Sequence, residues 1–152
     1  MMGKFRFTLR SVAVVRAHKE LIAREALAAA MRARAEAEAR LNEATMRLVD
    51  MEKVRSAGRS GRFRPADEIA FFVAYRGECA TEAELRKQMA AATSETEARR
   101  TACVEANREV KVMDRLESNA LLAHRTAAFH AEQAEFDEIA SRRSGRYNKT
   151  TP

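Results

Sequence analysis

Alternating steps of four and three residues organise most of this chain. One series runs Ala23, Leu27, Ala30, Arg34, Ala37, Leu41, Ala44, Leu48, Met51, and a second runs Leu85, Met89, Ala92, Thr96, Arg99, Cys103, Ala106, Val110, Met113, with charged residues filling the gaps. A 3.5-residue period held over several heptads predicts long helices packed along a coiled-coil seam. The seam is lean. Many of its knobs are Ala, and Arg34, Thr96 and Arg99 interrupt it, so each turn buries little apolar area and the helices can approach closely.

Pro65 is the only proline before Pro152, and it follows Gly58 and Gly61 in the stretch dividing the two series. Proline is excluded from helix interiors, so the chain reads as two helices joined by a turn. The expected organisation is a single all-α domain over 1–152. Helix 8–56 leads into a basic turn at 57–65, then helix 66–143 and a flexible tail at 144–152. Pro65 followed by Asp67 and Glu68 has the character of a helix first turn. A short linker makes the helices antiparallel neighbours, which gives an extended two-helix coiled-coil hairpin with a longer second helix. Matching seam positions across it gives residue numbers summing to about 126, placing Leu41 against Leu85, Ala37 against Met89, Met51 against Tyr75 and Leu9 near Glu117. The second helix then overhangs the start of the first by about 26 residues, roughly 39 Å of rise. That overhang carries Leu121, Leu122, Phe129, Phe136 and Ile139 with no partner in the hairpin, and an unpartnered apolar stripe seeks one. Gly77, followed by Thr81 and Glu84, is a possible break; one glycine costs only ~1 kcal/mol, and a continuous helix is expected.

Composition supports the same picture. Of 152 residues 31 are Ala, 33% are charged, 6% are aromatic and none is Trp. Such a bias toward strong helix formers marks coiled coils and long helices. The net charge of +6 is unevenly spread. Residues 1–20 carry +4, 53–64 carry +5 and 141–152 carry +4, which leaves −7 on the helix bodies. Basic poles invite acidic partners, nucleic acid among them, although bases at a helix end also complement its dipole. A nucleic-acid or membrane-surface binder is disfavoured, because the acidic shafts would repel phosphate and stacking aromatics are sparse.

Cys79 and Cys103 fall on one helix, roughly 36 Å apart, beyond disulfide reach. Free thiols point to a reducing compartment. No apolar run approaches the ~18 residues that span a membrane. Arg16 cuts the run Val12 to Val15 too short for a secretory signal, while the acid-free first 19 residues have some transit-peptide character.

Catalytic chemistry is missing. His18, His124 and His130 lack zinc spacing, and no CxxC, GxGxxG or GxxxxGK[ST] motif is present. No catalytic residue, metal ligand or cofactor is expected, and the protein is read as a non-enzyme. His124 falls on the extended seam and His130 off it. Glu132, Glu135, Asp137 and Glu138 form a solvated acidic face, since nothing on a lone helix desolvates them. More suggestive is Ile69-Ala70-Phe71-Phe72-Val73-Ala74-Tyr75 beside the turn. Phe71 and Tyr75 can share the seam face, whereas Phe72 points about 100° away. The cluster is either a hydrophobic cap on the turn or a docking patch beside a basic loop.

The opening Lys4-Phe5-Arg6-Phe7-Thr8-Leu9, then Val12, Arg16, Glu20 and Ala23, resembles the start of the flagellar type III export protein family FliJ. So does the close: Asp114-Arg115-Leu116, Arg125, Glu132 through Ala140, and Arg142-Arg143. The resemblance implies a cytoplasmic stalk and escort, peripheral at the inner face of the cell membrane, that serves flagellum biogenesis and motility. Its implied partners are a hexameric export ATPase, an export gate membrane protein and export chaperones, with no nucleic acid and no membrane span. In such families the end bearing both termini enters the ATPase pore, and the other end meets the gate. Arg6, Arg10, Phe129, Glu135, Phe136, Arg142 and Arg143 are the ATPase-contact candidates. Arg59, Arg62, Arg64, Phe71, Phe72 and Tyr75 are the gate-contact candidates. The injectisome stalk proteins share this layout.

Overall fold

The computed structural model describes residues 3–58, 61 and 64–147. It is an all-α hairpin of two helices, α1 (Arg10–Gly58) and the longer α2 (Pro65–Tyr147). Local chemistry sets their ends. Thr8 and Leu9 form a turn, and the Phe7 carbonyl accepts the Arg10 N–H at 3.3 Å, so α1 begins at Arg10 instead of Thr8. Pro65 occupies the first position of α2, where its missing N–H costs nothing. There the Arg64 carbonyl accepts the N–H groups of Asp67 and Glu68 at 3.1 and 3.3 Å. Asp67 and Glu68 also place negative charge at the positive end of the helix dipole. Helix α2 passes through Gly77 unbroken and runs beyond Arg143 to Tyr147. Residues 144–147, expected in the tail, are therefore helical, while 148–152 lie outside the described residues, as do Arg59, Ser60, Arg62 and Phe63 of the turn.

Close contacts group the chain into two compact units, Glu20–Glu105 and Met1–Lys19 with Ala106–Pro152. In the first, Ala44 is 0% exposed and Thr96 1%. Around them Leu27, Ala30, Arg34, Ala37, Leu41, Leu48 and Met51 are half-buried on α1, as are Leu85, Met89, Ala92 and Cys103 on α2. The Thr96 hydroxyl donates to the Ala92 carbonyl at 2.8 Å and lies 3.3 Å from the Ala30 carbonyl across the seam. A polar residue that interrupts the apolar spacing is thus accommodated by hydrogen bonding, as burial demands. Arg47 and Glu78 pair at 3.2 Å. The Thr96 and Arg47 ties fall on either side of Leu41 and Leu85 and match the expected register. Arg99 departs from the seam: it is exposed and pairs with Glu95 on its own helix at 2.7 Å.

In the second unit Met113 is buried, and Ala13, Arg16, Ala106, Val110, Glu117, Leu121 and His124 are half-buried. Arg10 and Glu117 form an ion pair at 2.9 Å, beside the expected Leu9–Glu117 register. Residues 3–7 are not helical, yet the Phe5 ring meets His124 edge-on, centroids 5.5 Å apart and planes at 66°. This leader corrects the expectation that α2 is unpartnered from Glu117. Contacts from residues before and at the start of α1 reach it at Glu117 and His124, and the wholly exposed stretch starts later, at Phe129.

Candidate partner-docking surfaces

Two surfaces gather the candidate residues. The first is the far part of α2, in the unit Met1–Lys19 with Ala106–Pro152. Every described side chain from Phe129 to Arg146 is exposed. Phe129 stands 61% exposed and Phe136 70%, with Ile139 also open to solvent. Phe129 meets the ring of its neighbour His130 edge-on, centroids 6.1 Å apart. Heptad spacing puts Leu122, Phe129, Phe136 and Arg143 on one stripe, turned away from the seam positions Leu121, His124 and Ala128. Beside Phe136, Ile139, Ala140, Arg143 and Ser144 border a shallow depression. Arg142 pairs with Glu138 at 2.6 Å, and Arg143 and Glu135 are exposed. At the leader, Phe5, Arg6, Phe7, Thr8, Arg10, Ser11, Val14 and Glu117 surround an open groove of about 870 Å³. Arg6 and Arg10 therefore sit together with Glu117, and Phe5 and Phe7 are half-buried there.

The second surface lies beside the turn, in the unit Glu20–Glu105. Phe71 stacks on Tyr75, rings 5.9 Å apart and 18° from parallel, and Phe72 meets Phe71 edge-on at 6.0 Å. Phe71 and Tyr75 are half-buried, while Phe72 is 41% exposed next to exposed Ile69 and Val73. The Tyr75 hydroxyl donates to Glu52 Oε1 at 2.9 Å. That bond, and then the carboxylate's charge, raise the tyrosine pKa, because both favour the protonated phenol. Arg64 is exposed at the start of α2, and Arg59 and Arg62 fall outside the described residues.

One residue of this surface was not singled out by the sequence. Arg55 reads there as one of five turn bases, yet it continues the α1 seam from Leu48 and Met51 by a further step of four. It is half-buried, and its guanidinium lies 4.8 Å from the Phe72 ring centre and 5.9 Å from that of Phe71. Extending the seam arithmetic by one step would have found it.

Among the described residues no three metal-ligating side chains converge, and no helix is long and apolar enough to cross a membrane. The acidic residues Glu132, Glu135, Asp137 and Glu138 are all exposed. These surfaces offer hydrophobic anchors framed by charge, which suits protein docking.

No match emerges among curated proteins or among solved structures. The model of the flagellar FliJ protein family, however, matches residues 5–149, nearly the whole chain, and the protein belongs to that family of flagellar export components.

Proposed function

We propose that the protein is the non-enzymatic stalk and escort of the flagellar type III export apparatus. In this reading the bare part of α2 inserts into the ring of the hexameric export ATPase. The surface beside the turn contacts the export gate membrane protein, and export chaperones dock on the same cytoplasmic particle at the inner face of the membrane. The observation that carries the reading is the exposed run from Phe129 to Arg146, in which large apolar side chains stand in water next to Glu135, Arg142 and Arg143. Exposed aromatics of this kind supply binding energy when a partner desolvates them, and the flanking charges steer the encounter.

Truncation after Ala128 tests it. The cut spares Met113, the Arg10–Glu117 pair and the Phe5–His124 contact, so melting should change little while stimulation of the purified export ATPase is lost. Full stimulation by the truncated protein would remove the stalk assignment.

A further inference from the structure

The Arg55 side chain is arranged unusually for a surface arginine. Its Nε is buried and has no hydrogen-bond partner among the described residues. Its Nη2 reaches Glu68 only at 3.8 Å. An enclosed N–H without an acceptor is unfavourable, so another interaction must hold the side chain there. The Phe71 and Phe72 rings supply one, since an aromatic face attracts a guanidinium within about 6 Å. The contacts continue inward, from Phe72 to Arg55, from Arg55 and Phe72 to Phe71, from Phe71 to Tyr75, and from the Tyr75 hydroxyl to Glu52.

We propose that Arg55 is the positioning residue of the docking surface beside the turn, holding the partly exposed Phe72 ring in the pose that engages the gate protein. The inference rests on the reading that this surface docks to the gate. Its physical content is preorganisation. A ring already fixed by a guanidinium and by Phe71 loses little rotamer freedom when a partner covers it, and that saving appears as affinity. A purely electrostatic role at the end of α1, where a cation complements the helix dipole, would be filled equally well by lysine. The planar guanidinium is what lysine lacks.

The test titrates the purified cytosolic domain of the export gate protein into the full-length wild type, Arg55→Lys, Phe72→Ala and the double variant. Aromatic nuclear Overhauser spectra of the same samples report the Phe71–Phe72 edge contact. Arg55→Lys should weaken binding about fivefold to tenfold, the range a desolvated cation–π contact supports. It should also abolish the Phe71–Phe72 cross-peak while leaving helicity and melting nearly unchanged. The double variant should bind no more weakly than Phe72→Ala alone, because Arg55 acts through that ring. Wild-type affinity for Arg55→Lys beside a weakened Phe72→Ala would overturn the positioning role and spare the docking surface. Additive losses would also overturn it, because Arg55 would then touch the gate independently. An undiminished Phe72→Ala would sink the docking reading and this inference with it.

Discussion

Phe71 and Phe136 stand on the same helix in opposite circumstances. Phe71 is stacked on Tyr75, edged by Phe72 and flanked by Arg55, so its ring is already engaged within the chain. Phe136 is 70% exposed and, among the described residues, shares a depression only with Ile139, Ala140, Arg143 and Ser144 of its own helix. One aromatic surface is assembled before any partner arrives. The other is left open, and its energy becomes available only when something covers it. The contrast teaches where truncating a ring should act: at half-buried Phe71 on folding as well as affinity, and at the open surface on affinity alone.

The largest effect expected from that contrast is at the open surface. Replacing Phe129 and Phe136 by Ser should weaken association with the export ATPase by about 4 kcal/mol, near 2 for each anchor, with thermal melting unaltered. A melting loss comparable to the binding loss would mean the two rings belong to a core. Phe71→Ala comes next. Full burial of Phe makes such truncations cost about 3–5 kcal/mol, so a half-buried ring should cost about 1–2 kcal/mol of stability, seen as a lowered urea midpoint. An unchanged midpoint would erase the distinction between the two surfaces.

A smaller effect is expected at the leader. Arg10 and Glu117 are ion-paired with the Arg10 side chain 71% exposed and that of Glu117 35%, and solvent-accessible pairs contribute about 0–1 kcal/mol. Arg10→Gln should therefore lower stability only slightly, and less at high salt, as melting at two ionic strengths would reveal. Smallest is the phenol of Tyr75. Glu52 favours its protonated form, so the bond's contribution is intact below the ordinary tyrosine pKa of about 10 and fades as pH climbs past the raised folded value. Absorbance titration of a Tyr147→Phe variant should show Tyr75 ionising late, and Glu52→Gln should bring it back toward the ordinary value.

Much of this was legible in the amino-acid order. The four-three spacing located Leu27, Leu41, Ala44, Leu48 and Met113 on the seam, because side-chain direction in a helix follows position alone. Pro65 located the turn for a similar reason, being a backbone constraint independent of tertiary context. Long polar side chains were harder to read. Arg34 and Arg99 occupy equivalent-looking seam positions, yet Arg34 is half-buried, while Arg99 swings out to Glu95, a choice its flexible stem permits and the spacing cannot express. Arg55 was hidden among turn bases because its role depends on two rings that only the folded hairpin brings to it. The leader's contact with His124 was equally out of reach, since residues 3–7 have no period to extrapolate. The two candidate surfaces were visible as clusters; that one is preassembled and the other open required the side-chain geometry.

In the proposed function the bare part of α2 faces the ATPase and the aromatic cluster beside the turn does not. Site-specific photo-crosslinking measures this directly, with a photoreactive phenylalanine analogue placed at Phe136 in one protein and at Phe72 in another, each irradiated with the purified hexameric export ATPase. The Phe136 probe should form adducts with ATPase subunits and the Phe72 probe should not. Adducts from Phe72 with none from Phe136 would contradict the proposed function.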